Sequence, residues 1–99
     1  MMPSQAAREA AGLIADHGLA KKALQDKEGR FCHNGAIAMT VGGGKWMLFS
    51  HPYFEVLRTS QEILAQQGIR LLPHEYSNLD STSAEDVMLL LKHAAEYLE

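Results

Sequence analysis

The chain has 99 residues, of which 46% are hydrophobic and 21% are charged, and nine Lys or Arg against twelve Asp or Glu give a formal net charge of −3. This composition predicts one globular domain over residues 1–99. It excludes a disordered chain, which has less apolar surface to bury, and a disulfide scaffold, which needs more than the single Cys32. The acidic balance also lacks the basic surface that nucleic-acid binding requires, so we expect no nucleic-acid partner.

The sequence has no pattern typical of secretion or of a membrane-spanning segment. Its first residues do not combine a basic segment with an apolar one. The longest apolar run, residues 87–91, is far shorter than the roughly 20 residues that cross a bilayer. A single thiol without a partner suits a reducing compartment. We therefore expect a cytoplasmic protein without a membrane partner.

Helix caps and apolar spacing predict a mainly α-helical fold, a compact bundle of about four helices. The predicted helices are residues 4–17, 31–41, 51–67 and 83–97. The strongest local signal is a capping box in which the Thr82 side chain caps the last helix and the Glu85 carboxylate accepts the backbone N–H of Thr82. In the first helix, Gly12 is either a point of close approach for another backbone or simply a tolerated glycine that costs about 1 kcal/mol against Ala. In the third, we expect an apolar face of Phe54, Leu57, Leu64 and Ala65.

The segments between these helices predict turns and extended connections. Asp26–Gly29 has turn chemistry, and the flanking residues 24–25 and 30–32 could pair as one short β-hairpin. Residues 69–73 read as extended because the position before a proline avoids the helical region. Residues 77–81 read as a polar loop, and residues 45–49 form either a strand or a packed loop.

The candidate catalytic residues are one pair, Cys32 and His33, at the start of the second helix. A thiol near a helix N-terminus has a lowered pKa and is more often present as the reactive thiolate. The alternative interpretation is that Cys32 is a small buried hydrophobic residue without a chemical role. Adjacent side chains diverge, so His51 or His74 could equally supply the base. Because no catalytic constellation is complete, we assign no catalytic residue. A thiol-dependent small enzyme or redox-sensitive protein using Cys32 remains the alternative function.

The five histidines fit no metal-binding pattern, and the glycine-rich segment fits no phosphate loop. There is no His-Glu-x-x-His and no Cys-x-x-Cys. When Gly44 and Lys45 are aligned with the Gly-Lys pair of a phosphate loop, Met39 stands where the loop requires its first Gly, and Trp46 stands where it requires Ser or Thr. We therefore expect neither a metal nor a cofactor.

Large apolar side chains are more numerous than a small core can easily bury. Within nine positions lie Trp46, Met47, Phe49, Tyr53 and Phe54, and on the last helix Met88 and Leu89 fall toward its charged stripe. Exposed aromatic patches mark binding surfaces, although some of these side chains could instead fill the core. The predicted binding surface consists of Trp46, Met47, Phe49, Tyr53, Met88 and Leu89.

Short motifs follow one another in a fixed order over most of the chain: His17–Leu19, Ala23–Asp26 with Gly29–Arg30, Cys32 with Gly35–Ala38, Asn78 with Asp80, and Thr82–Val87. The series resembles a small domain family of unknown function from actinobacteria and their phages. That resemblance implies a habitat and brings no catalytic residues.

Together these observations favour a non-enzymatic protein–protein interaction module over an enzyme. The resemblance adds the expectation that it is phage-encoded and acts on a host protein. Self-association as a homodimer through the same surface is equally compatible, since symmetric dimers are common.

Overall fold

Five α-helices make up most of the 1–47 and 49–99 segments that the computed structural model describes. The helices are α1 (Pro3–His17), α2 (His33–Val41), α3 (His51–Gln66), α4 (Pro73–Asn78) and α5 (Ala84–Leu98). The expectation of a compact, mainly helical fold is confirmed, with one short helix more than expected. Residues 45–47 and Phe49 lie in a loop, and Leu48 of the same run lies outside the described residues.

Side-chain caps fix where α3 and α5 begin. Ser50 Oγ accepts the N–H of Tyr53 at 3.3 Å and so caps α3. The capping box of α5 lies one residue later than the sequence predicts, since Ser83 and Asp86 exchange bonds of 3.1 and 2.9 Å. The N–H of Thr82 closes a turn onto the carbonyl of Leu79 at 3.0 Å, so Glu85 does not accept it as the expected capping box requires.

The centre of the core is the contact between α1 and α5. Arg8 near the start of α1 pairs with Glu99 beyond the end of α5, so the two helices run antiparallel. α1 buries mostly alanines, which let the helices approach closely: Ala6, Ala7, Ala10, Ala11 and Ile14. Gly12 is exposed and has open space around its Cα, so its interpretation as a point of close approach for another backbone is wrong.

The buried face of α3 differs from the one that the sequence predicts. Leu64 is buried and Leu57 packs partly buried against the core, as expected, but Phe54 and Ala65 are exposed. The buried stripe consists of Tyr53, Val56, Thr59, Ser60, Ile63 and Leu64. Phe54 and Ala65 each lie one residue, or about 100° around the helix, from a buried position of this stripe, which turns them toward solvent.

The helix α4 is a departure from the sequence prediction, which places Ser77 and Asn78 in a polar loop. Pro73 occupies its first turn, where a missing N–H costs nothing, and the Glu75 carboxylate accepts the N–H of Leu72 at 2.8 Å. With six residues, α4 is too short to produce a readable helical period.

The loop between α1 and α2 is fixed to α4 by Lys21. Its ammonium group donates to the carbonyls of Ser77, Leu79 and Thr82 at 2.9, 2.7 and 2.7 Å. The carbonyls of Ser77 and Leu79 lie at the C-terminal end of α4, where they lack helical partners and attract positive charge, and the carbonyl of Thr82 lies in the turn before α5.

The expected hairpin is reduced to a turn closed by isolated bridges. The turn at Asp26–Gly29 is present, with the Gly29 N–H donating to the Asp26 carbonyl at 3.0 Å. Phe31 forms one antiparallel bridge with Gln25 and one parallel bridge with Leu19, and neither extends into a ladder. In the described part of the chain, no helix combines the length and the apolar character needed to span a membrane.

Candidate functional site

Four large apolar side chains lie exposed between α2 and the first turn of α3, and we call them the aromatic patch: Trp46, Met47, Phe49 and Phe54. Phe49 is 74% exposed, and the other three are between 45% and 50% exposed. Of the binding residues predicted from the sequence, Trp46, Met47 and Phe49 are exposed in the loop before α3, and Phe49 packs against Phe54.

The residues of the aromatic patch contact buried residues on their inner side. The ring of Trp46 lies edge-on to the buried Phe31, with a centroid distance of 6.3 Å. The ring of Phe49 lies 6.4 Å from that of Tyr53 and 5.8 Å from that of Phe54. The Met47 N–H donates to the Ala38 carbonyl at 3.2 Å. The patch therefore has defined backbone and ring contacts while its outer surface faces solvent.

Phe49 has an unusual backbone conformation, with a φ of +64°. A bulky side chain in this left-handed region costs on the order of 1 kcal/mol, because its Cβ crowds the neighbouring carbonyl. Glycine and asparagine adopt the conformation more easily. The ring of Phe49 therefore faces solvent at an energetic cost to the backbone that holds it.

The remaining predicted binding residues lie elsewhere. Tyr53 is buried beneath the aromatic patch, and Met88 packs partly buried against the core. Leu89 is 49% exposed and lines a cavity of about 180 Å³ with Gln67, at the C-terminal end of α3. A helix rises about 1.5 Å per residue, which places this end roughly 20 Å from Phe54. The structure therefore does not join Leu89 to the aromatic patch.

Cys32, the weaker candidate for chemistry, serves as the N-cap of α2. Its Sγ accepts the N–H of Gly35 at 3.3 Å, and the residue is buried. Burial raises the pKa of the thiol, although the N–H groups around Sγ act in the opposite direction. A catalytic thiol requires a lowered pKa, so this environment is the opposite of the one that nucleophilic catalysis needs.

His33 is fully buried and held by its own hydrogen bonds, away from Cys32. Its Nδ1 lies 2.8 Å from Asn34 Oδ1, and its Nε2 lies 3.0 Å from Ser60 Oγ. With this amide orientation Nδ1 carries the proton and Nε2 accepts from the Ser60 hydroxyl. The backbone N–H of His33 donates to Ser77 Oγ at 3.2 Å. These bonds connect α2, α3 and α4 through one polar cluster.

A cleft of about 490 Å³ lies next to this cluster. Cys32, Asn34 and His74 line it, together with Lys22 and Asn78. The N–H of Lys22 donates to Asn78 Oδ1 at 2.7 Å, which positions one wall. Of the three histidines considered as a base for Cys32, only His74 lines this cleft with the thiol, and His33 bonds to Ser60 instead.

Sequence reasoning missed the partners of His33. Ser60 lies four residues from both Val56 and Leu64, so a hydroxyl inside an apolar stripe was the available signal for a buried polar contact. Ser77 gave no such signal because its helix was not predicted. Among the described residues, no group of three His, Cys, Asp or Glu side chains is placed to hold a metal ion.

Comparison with known proteins gives a family and no activity. No curated protein and no solved structure matches the chain. One family model, described as a family of unknown function, matches residues 1–97. This match confirms the expected membership of such a family over nearly the whole sequence. The chain therefore belongs to DUF6197, a family of unknown function.

Proposed function

We propose that this chain is a non-enzymatic protein-interaction module and that the aromatic patch docks onto another polypeptide. The observation that carries the proposal is Phe49, which combines a left-handed backbone with a ring that is 74% exposed. In an isolated chain the ring recovers little burial energy to offset the backbone cost. A partner that covers the ring would supply that burial.

The size of the aromatic patch supports the same proposal. Four side chains of about 200 Å² each, roughly half exposed, present on the order of 400 Å² of apolar surface. Exposed apolar surface on this scale often marks a functional site. Trp and aromatic residues are also enriched among the side chains that dominate binding energy. The net charge of −3 favours a protein over a nucleic acid as the partner.

The environment of Cys32 gives little support to the alternative of a thiol-dependent enzyme. Burial raises the pKa of the thiol, and the adjacent His33 is bonded to Ser60 rather than to Sγ. A nucleophile and its base normally lie within hydrogen-bond distance of each other. The resemblance stated above extends our proposal to a phage-encoded, cytoplasmic protein that acts on an actinobacterial host protein.

Affinity capture tests the interaction module. The baits are the native chain, Phe49→Asn and the matched control Leu89→Ala, each exposed to an actinobacterial lysate supplemented with untagged copies of this chain. We expect a polypeptide that the native chain and Leu89→Ala retain equally and that Phe49→Asn retains at least about tenfold less, as for loss of a central aromatic contact.

Two outcomes of the capture experiment would contradict the proposal. One is that Phe49→Asn retains the same polypeptides as the native chain in the same amounts. The other is that Leu89→Ala loses them as well, because a loss at both sites would not be specific to the aromatic patch. Helix content, measured by circular dichroism, should be equal in all three baits.

A further inference from the structure

We infer that the cleft between the α1–α2 loop, the start of α2 and α4 binds a small organic anion, which carries a phosphate or carboxylate group on a partly apolar body. The volume of the cleft is about 490 Å³. Sites for small molecules usually measure roughly 300 to 1,000 Å³. The cleft shares no lining residue with the aromatic patch, so the inference is independent of the proposed function.

The charge in the cleft is opposite in sign to that of the whole molecule. The chain carries nine Lys or Arg against twelve Asp or Glu. Of the described residues that line the cleft, none is acidic, whereas Lys22 and His74 can both carry positive charge. An anion in the cleft is therefore attracted by its nearest charged neighbours, although the chain as a whole is acidic.

The acidic residues closest in sequence to the lining do not belong to it. Three of them lie within two positions of a lining residue, and none of the three lines the cleft: Asp26, Glu75 and Asp80. The Asp26 carboxylate bonds to the guanidinium of Arg30 at 2.5 Å. The Glu75 carboxylate accepts the N–H of Leu72 at 2.8 Å. These two carboxylates are thus held by other partners and leave the charge of the cleft positive.

The polar side chains of the lining present hydrogen-bond donors. Asn78 Oδ1 accepts the N–H of Lys22 at 2.7 Å, and Asn34 Oδ1 lies 2.8 Å from His33 Nδ1 and accepts its proton. The amide oxygen of each asparagine is therefore occupied, and its remaining polar group is the N–H2 donor. The Lys22 ammonium can only donate as well. Phosphate and carboxylate groups supply the acceptors and the negative charge that such a lining lacks.

The walls of the cleft are fixed without a ligand. Lys22 has a φ of +61°, a conformation that lysine rarely adopts, and its bond to Asn78 holds it there. On the same wall, Lys21 bonds to the carbonyls that flank Asn78 in the sequence, at 2.9 and 2.7 Å. Asn34 is held by the buried His33. Because these groups are already positioned, a ligand pays little to order them.

Ala23 and Leu24 give the cleft an apolar side. Leu24 is 39% exposed, so it can contact the carbon atoms of a ligand whose anionic group lies near Lys22. Lys22 and His74 are both exposed, and water weakens the attraction of exposed charges. We therefore expect a dissociation constant of about 0.1 to 1 mM for a simple organic anion.

Nuclear magnetic resonance of the full chain, labelled with nitrogen-15, tests the site. Phenyl phosphate and benzoate share an apolar ring and differ in the anionic group, and benzyl alcohol is the uncharged control. We expect the backbone amide signals of residues 22–24, Asn34 and His74 to shift on titration with an anion and to shift less with benzyl alcohol. The anion that binds more tightly identifies the preferred group.

Lys22→Gln and Lys27→Gln are the matched variants. Both lysines are exposed in the α1–α2 loop, and both changes alter the net charge equally, but only Lys22 lines the cleft. The backbone N–H of residue 22 keeps its bond to Asn78 in the variant. Lys22→Gln should weaken the binding of the anion about tenfold, as for loss of a charged hydrogen bond. Lys27→Gln should bind like the native chain.

Three results would overturn the inference. The first is that neither anion shifts the signals of the cleft at concentrations well above the expected dissociation constant. The second is that benzyl alcohol binds as tightly as the anions, because the cleft would then select for apolar surface alone. The third is equal affinity of Lys22→Gln and Lys27→Gln for the anion, which would show that the lysine lining the cleft does not hold it.

Discussion

His33 is the residue at which burial and protonation are most strongly opposed. It is fully buried, whereas the other four histidines are exposed. Burial lowers its pKa from 6.5 to about 4, with a further contribution from nearby His74, while the contact with Asn34 acts in the opposite direction. The fold therefore requires a neutral imidazole, which connects α2 to Ser60 of α3.

This burial makes the stability of the protein depend on pH in a defined window. The unfolded chain binds the proton near pH 6.5 and the folded chain only near pH 4. The unfolding free energy should therefore be highest above pH 6.5 and should fall by up to about 3 kcal/mol as the pH drops to about 4. Urea unfolding at a series of pH values measures this loss, on top of the loss from titrating carboxylates.

The matched variants are His33→Gln and His51→Gln. Glutamine does not titrate, so His33→Gln should lose this part of the pH dependence even if it is less stable at every pH. His51 is exposed, and its replacement should leave the dependence unchanged. Equal pH dependence in His33→Gln and the native chain would show that the buried imidazole does not set the window.

At the scale of elements, Gly35 determines how closely the α1–α2 loop approaches α2. A Cβ built on Gly35 would overlap the carbonyl oxygen and the carbonyl carbon of Leu24. That carbonyl also accepts the N–H of Cys32 at 3.2 Å, so it cannot move without losing a bond at the helix start. The absence of a side chain at Gly35 therefore allows the α1–α2 loop to pack against the start of α2, where Cys32 forms the N-cap.

Gly35→Ala and Gly12→Ala should have opposite effects on stability. Gly35→Ala forces the Leu24 backbone away and should lower the unfolding free energy by about 1 to 3 kcal/mol. Gly12 lies exposed in α1 with open space around it, so Gly12→Ala should raise the unfolding free energy by up to about 1 kcal/mol. Chemical unfolding measures both changes.

The control in this pair is Gly12 itself, because the same chemical change is made at a site without a close neighbour. A Gly35→Ala variant as stable as the native chain would mean that the Leu24 carbonyl does not approach α2 as closely as described. A Gly12→Ala variant that loses stability would point instead to a contact on the exposed side of α1.

The helices differ in how far their sequence predicts them. α1, α3 and α5 have 15 or 16 residues each, so their apolar period is repeated often enough to be read. α4 has six residues and gives no period. On α3 the sequence does not predict the burial of Ser60, which bonds to His33, a contact 27 residues away that local spacing does not contain.

The candidate site was predictable only in part, for a related reason. A surplus of large apolar side chains near residues 46–54 follows from counting them against the size of the core. The burial of each side chain cannot be predicted in this way, since Tyr53 is buried and its neighbour Phe54 is exposed. The distance of Leu89 from the aromatic patch, and the left-handed backbone of Phe49, depend on tertiary placement that the sequence pattern does not specify.

At the scale of the whole molecule, the exposed aromatic patch does not result from loose folding. The chain exposes 5537 Å², close to the roughly 5,600 Å² expected for a compact monomer of this size. A domain this small buries only about 60 to 65% of its unfolded surface and has little stability to spare. Retaining a strained, exposed phenylalanine in such a domain suggests that the aromatic patch has a use outside the monomer.

The last prediction measures that strain in the monomer. Phe49→Asn and Phe49→Ala both remove the ring, but only asparagine adopts the left-handed backbone easily. In dilute solution Phe49→Asn should exceed Phe49→Ala in unfolding free energy by about 1 kcal/mol, or about 4 to 8 °C in Tm for a domain of this size. Equal stability of the two variants would show that the left-handed backbone at Phe49 carries no such free-energy cost.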